Sequence, residues 1–198
     1  MEWSVPMKIF TYWFIAIVIG LVFFRKEAFS FNTDFDVRRK VLLGFSLLIV
    51  AFNAWVYTSS TFDGGRPLDI VSVIVFTIGN GIAETFIFYA MFVVGEKLAG
   101  KLSEDSWQLI PKQTEFITGV IVFMVYSGLI HGLFWIDLLP EHVNQASPLK
   151  PLFMPTQILI AGSWALCFFW YRDLPSVFVL HGLVDLTMIL NVKFSLFG

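Results

Sequence analysis

Long apolar runs, one after another, constrain this chain more than any other feature. They fall at about Ile9–Phe24, Val41–Tyr57, Leu68–Leu98, Phe116–Leu139, Leu152–Tyr171 and Ser176–Val192. A helix crossing a bilayer needs ~20 mainly apolar residues. Charged residues make up only 14% of the chain, whereas a soluble domain is roughly a quarter charged. The expected fold is therefore all-α: a polytopic membrane bundle of about six transmembrane helices. It fills residues 1–198 as a single integral membrane domain, surrounded by membrane lipid and with no room for a soluble one. The net charge of −2 suggests neither nucleic acid nor an acidic partner.

The first run is too long for most signal-peptide cores. It ends in Phe24-Arg25-Lys26 rather than in small residues suited to cleavage, so it is expected to be retained. Tyr12 and Trp13 are of the type found at a membrane interface. The third run is too long for one upright span. It either crosses once, with GEKLAGKL projecting beyond the lipid, or turns back at Gly79-Asn80-Gly81. Charge bias decides. One crossing puts Arg25, Lys26, Arg38, Arg39, Lys40, Lys97, Lys101, Lys112 and Arg172 on one side, and leaves Lys8, Arg66, Lys150 and Lys193 on the other. A hairpin nearly erases that bias, so one crossing is expected, with a kink or loosened turn at Gly79–Gly81, a cytoplasmic first loop and both termini outside. The fourth helix should stop at Pro140, and Pro155 is tolerable in the first turn of the fifth. His142 falls in a solvated loop. Cys167, the sole cysteine, reads as a small core residue.

Ionisable groups inside such runs cost ~2.5–3.5 kcal/mol on insertion scales and mark function by default. Glu84 lies in GNGIAETFIFYAM, His131 in YSGLIHGLFW, and His181 and Asp185 in VLHGLVDL. The simplest expectation is that these residues face one another. Asn80 shares a helix face with Glu84, Ser127 with His131, and His181 with Asp185, so Asp185 can hold the imidazole. Gly79, Gly81, Ala83, Ala90, Gly128, Gly132 and Gly182 would let the helices approach closely. A desolvated glutamate beside imidazoles suits hydrolysis: one group activates water and others stabilise an oxyanion.

With these residues in view, the sequence resembles the CPBP family of intramembrane proteases, which includes the CAAX prenyl endopeptidases and abortive-infection homologues. The family's first motif, roughly A-E-E-L-F-F-R-G-L, aligns with Ala83-Glu84-Thr85-Phe86-Ile87-Phe88-Tyr89-Ala90-Met91. Its Phe-x-x-x-His aligns with Ser127–His131, and its His-x-x-x-Asn with His181–Asp185. The motif-bearing core spans about residues 78–190. The chain differs in carrying Thr85, Tyr89, Ser127 and Asp185 where the family has glutamate, arginine, phenylalanine and asparagine. Thr85 and Tyr89 would replace an internal ion pair with a neutral contact. The resemblance implies a glutamate-type endopeptidase cleaving a membrane-associated protein or peptide. Glu84 and His131 would activate the water, and His181 with Asp185 would form the oxyanion site, with no cofactor. Ionised, Asp185 would repel an oxyanion, so it must be protonated or only orient His181. A bacterial or archaeal plasma membrane is the expected location.

Two other functions fit the same residues. Glu84, His131, His181 and Asp185 form an adequate zinc or iron set, without an HExxH motif. Alternatively, the chain is a catalytically degenerate relative, acting as a membrane scaffold or a peptide-immunity protein. A proton-coupled transporter is weakly opposed by the lack of a repeat.

Overall fold

The computed structural model of the chain describes residues 5–31, 35–106, 112–135 and 143–197. In chain order it comprises α1 (Val5–Phe23), a short α2 (Arg25–Ala28), α3 (Val37–Ser60), α4 (Ile70–Ser106), α5 (Lys112–Trp135), α6 (Phe153–Tyr171) and α7 (Leu174–Val192). A single 3-10 turn, Lys150–Leu152, leads into α6. The chain is an all-α polytopic bundle. Among the described residues, α1, α3, α4, α6 and α7 are long and apolar enough to cross a membrane. The expected fourth crossing coincides with α5 up to Trp135; its end at Leu139, Pro140 and the loop residue His142 lie outside the described residues. Phe14, Leu48, Ile78, Val125 and Val179 are all more than half exposed. Such an apolar exterior suits lipid rather than water.

α4 is the axis of the bundle. It packs against α5 and α7 most extensively and also against α1, while α3 packs on α6 and α7. It runs unbroken for 37 residues, roughly 55 Å at 1.5 Å per residue, against ~30 Å of hydrocarbon. Gly79, Asn80 and Gly81 are α-helical like their neighbours. The single crossing therefore holds, and the helix neither turns back nor unwinds there.

Small residues in α4 set how closely its neighbours come. A Cβ on Gly81 would sit 3.0 Å from the backbone nitrogen of Gly182 and 3.1 Å from its Cα, so α4 and α7 touch main chain to main chain. A Cβ on Gly79 would fall 2.6 Å from the Trp13 ring, which needs that space. Gly128 and Gly132 have no such neighbour among the described residues; α4 and α5 instead meet at Gly95, where a Cβ would fall 2.5 Å from Thr118 O and 2.7 Å from Gly119 Cα.

Two polar belts close the ends. At one end Asp173 caps α7, its Oδ1 accepting from Ser176 N at 3.2 Å. Its Oδ2 accepts from Arg39 Nε at 2.9 Å and Nη2 at 2.6 Å, and both side chains are buried. Arg172, in a left-handed conformation with φ 50°, ends α6 and donates to Glu96 of α4 at 2.7 and 3.1 Å. Burial works against the Arg172 charge, but the Glu96 contact outweighs it and holds the guanidinium above its usual pKa. This is the cation-rich end. At the other end Asp69 Oδ1 caps α4 through Val71 N and Ser72 N. Its Oδ2 accepts from Ser195 Oγ at 2.8 Å, and Leu196 N donates to Ser72 Oγ at 2.7 Å. Lys193 pairs with Asp63 at 2.5 Å.

Candidate functional site

Glu84, His131, His181 and Asp185 all line one cavity of about 500 Å³. The cavity runs from the middle of α4 toward the end carrying Lys8, Tyr57 and Met188, away from the cation-rich end. Its wall is largely apolar, with Ile9, Val50, Phe76, Phe153 and Val184 contributing. The residues that stood out as anomalies in the sequence are therefore brought together.

His181 is the most constrained of them. Its Nε2 is 3.2 Å from Glu84 Oε2, and its Nδ1 is 3.0 Å from Thr85 Oγ1. Phe88 stacks on the ring at 5.2 Å with 8° between planes, and Trp164 lies 5.0 Å away, tilted by 41°. A neutral ring with its proton on Nε2 satisfies both polar contacts: Nε2–H donates to Glu84, and Nδ1 accepts from the Thr85 hydroxyl. Thr85 thus completes His181. It does not form a neutral pair with Tyr89, which instead packs against Phe24 and Phe168.

Asp185 is one helical turn beyond His181, yet its Oδ2 is 3.9 Å from Nε2. That exceeds hydrogen-bond reach, and Glu84 holds the nitrogen instead. Asp185 Oδ1 accepts from Asn80 Nδ2 at 3.1 Å, while Oδ2 is buried without a hydrogen-bond partner. Asn80 is in turn fixed by Trp13, whose Nε1–H donates to Asn80 Oδ1 at 3.0 Å. Trp13 is only 5% exposed. It is a core residue that orients the site, not an interface anchor. Tyr12 Oη, beside it, lies 3.1 Å from Tyr126 Oη.

His131 sits on α5 with Nδ1 2.9 Å from the carbonyl oxygen of Ser127 and 3.3 Å from its Oγ. Only a protonated Nδ1 can donate to a carbonyl, so the Nε2 lone pair is left free. No direct bond joins His131 to Glu84 among the described residues; the two share the cavity wall. A smaller cavity, about 10 Å³, lies against both imidazoles, Ser127 and Trp164.

Among the described residues, no group of three His, Cys, Asp or Glu side chains has the arrangement of a metal site. Glu84 Oε2 and Asp185 Oδ2 lie 3.2 and 3.9 Å from His181 Nε2. Cys167 is buried at the centre of the helix packing, as expected for a core residue.

Sequence reasoning missed the support of the site more than the site itself. Trp13, Phe88, Trp164 and the buried trio Asn53, Thr156 and Gln157 carry no local signal, because each acquires its role from a helix distant in sequence. Compared with protein-family models, curated proteins and solved structures, the chain matches none of them.

Proposed function

We propose that the chain is a glutamate-type intramembrane endopeptidase of the CPBP kind, cleaving a peptide bond in a membrane-associated protein or peptide. The observation that carries this reading is the shared cavity: an acid, two imidazoles and a second acid open into one apolar chamber inside the bundle. Such a chamber strengthens electrostatic contacts and admits a substrate segment together with water.

In the proposed reaction, a water oxygen bonds to the substrate carbonyl carbon as Glu84 takes one of its protons. His131 aligns that water by accepting its other proton at Nε2 as a hydrogen bond. The carbonyl oxygen becomes an oxyanion beside His181 and Asp185. Asp185 carries a proton on Oδ2. Its Oδ1 is already used by Asn80, and a second negative charge beside Glu84 in apolar surroundings is unfavourable. Protonated and buried, Asp185 adds no negative charge to repel the oxyanion and acts by holding the surroundings of His181. Collapse breaks the C–N bond, the amine nitrogen takes the proton held by Glu84, and the products are a carboxylic acid and an amine.

The expected setting is a bacterial or archaeal plasma membrane, with the cation-rich end in the cytoplasm. The cavity then faces the outer side. A proteomic comparison of membranes from cells expressing the intact chain and Glu84→Gln tests the reading. New peptide termini that appear only with the intact chain support hydrolysis and identify the substrate. Identical termini at equal protein abundance would leave the degenerate scaffold or immunity protein as the better account.

A further inference from the structure

The cavity has a second polar station, away from the Glu84–His181 contact. Asn53 on α3 and Gln157 on α6 both line it, and both are more than nine-tenths buried. They are bonded to each other, Gln157 Nε2 to Asn53 Oδ1 at 2.7 Å, and Thr156 Oγ1 joins the same oxygen at 2.9 Å. Each carboxamide therefore uses one polar atom internally. The other two, Asn53 Nδ2 and Gln157 Oε1, have no partner among the described residues. They are not sealed in protein either, because the fully buried unpaired atoms are Thr77 Oγ1, Trp164 Nε1 and Asp185 Oδ2. They open onto the cavity.

Which end of each amide is oxygen does not alter the outcome. Reversing both carboxamides makes Asn53 the donor to Gln157 and to Thr156, whose hydroxyl then donates to Phe153 O at 2.7 Å. In either arrangement the cavity is offered one N–H donor and one carbonyl acceptor, from two side chains bonded to each other. The N–H and C=O of one residue in an extended chain also point to the same side, which is how strands pair. The two sets are complementary.

We infer that Asn53 and Gln157 bind the main-chain N–H and C=O of one substrate residue, holding the peptide extended across the cavity toward Glu84. This rests on the peptidase reading and assigns it a substrate-positioning site on α3 and α6. An unpaired donor or acceptor in a buried site favours ligands that satisfy it and disfavours those that cannot. The pair thus selects an extended peptide without reading its side chains.

Binding tests this without turnover. Purified Glu84→Gln protein in detergent is titrated with N-decanoyl-tetra-alanine amide, followed by intrinsic tryptophan fluorescence. The same titration is run with analogues in which each peptide N–H in turn is replaced by an ester oxygen. The expected result is that one ester position weakens binding about 3–10-fold, the size of one net hydrogen bond. Gln157→Leu should weaken the parent peptide by a similar factor, and where Gln157 Oε1 is the acceptor it should also abolish the penalty at that position. Equal binding of every ester analogue overturns the inference, as does absence of binding by the parent peptide. The ester series needs no further substitution, so it remains decisive if Gln157→Leu folds poorly. The peptidase reading fails separately: unchanged membrane termini with Glu84→Gln alongside position-specific peptide binding would leave a peptide-binding protein.

Discussion

The two ends of the bundle are built on different principles. At the cation-rich end, Arg39 and Asp173 meet as a buried pair, Arg172 reaches Glu96 on α4, and Arg38 lies 3.4 Å above the Trp170 ring. These contacts tie the ends of α3, α6 and α7 to one another and to α4. At the opposite end the ties link the helix ends to the loops and the C-terminal segment. An isolated bridge joins Thr61 to Asn144, Asn191 Nδ2 reaches Thr61 O at 3.1 Å, and Lys193 meets Asp63 at the surface. Between those ties lies the cavity. A floor of buried charge closes the bundle at one end, and the chamber lies toward the other.

The largest expected effect separates the chamber from the floor. Glu84→Gln should lower peptide cleavage about 10²–10⁴-fold, the range for loss of a general base, with little change in thermal unfolding. Loss of fold with activity would assign Glu84 to structure instead. Arg39→Met should act the other way. Removing one member of a buried pair leaves Asp173 uncompensated, which costs ~3–5 kcal/mol, whereas Arg39→Met with Asp173→Leu should recover much of it. Unfolding of purified protein in mixed micelles measures both. An equal loss in the single and double variants would mean that the pair is not the floor.

Trp13→Phe probes the wall. It keeps an aromatic ring, though a smaller one, and removes the N–H given to Asn80, at a cost of ~1–3 kcal/mol for the unsatisfied partner. Cleavage should fall further than stability alone explains, because Asn80 fixes Asp185. Acid should loosen the rim, the smallest of these effects. Hydrogen bonds from Lys193 and from Ser72 are the largest influences holding Asp63 and Asp69, respectively, below the usual carboxylate value of 3.8. Depressed carboxylates stabilise fully above the unfolded value and lose that contribution as pH falls through the lower folded one. The C-terminal segment around Ser195–Leu196 should therefore exchange amide hydrogens faster below about pH 4, once exchange is corrected for its intrinsic pH dependence.

The helices were legible because lipid demands long apolar runs, and Glu84, His131, His181 and Asp185 were legible because such runs should exclude them. Their pairing was not. A turn of helix fixes which side chains share a face, so Ser127 and His131 met as expected. His181 and Asp185 also share a face, but the nitrogen is taken by Glu84 from another helix. Rotation and tilt of α4 against α7 decide that, and neither is written in a local pattern. The same holds for Arg39, which as a loop-proximal cation resembles Lys40 until Asp173 folds over it. Trp13 was misjudged for a related reason. Aromatic residues abound in this chain, and only the space left at Gly79 distinguishes this one.

Main-chain contact at Gly81 and Gly182 has a consequence for the protein's surroundings. Glu84 lies one turn from the first glycine, and His181 is next to the second. Main-chain contact there, with the Glu84–His181 contact beside it, couples α4 to α7. Bilayers differ in thickness by several ångströms, and helices meet a mismatch by tilting. In this bundle that tilt must carry α4 and α7 together, leaving the Glu84–His181 separation unchanged while outer helices such as α1 and α3 adjust. The Glu84–His181 contact is thereby insulated from the thickness of the membrane around it.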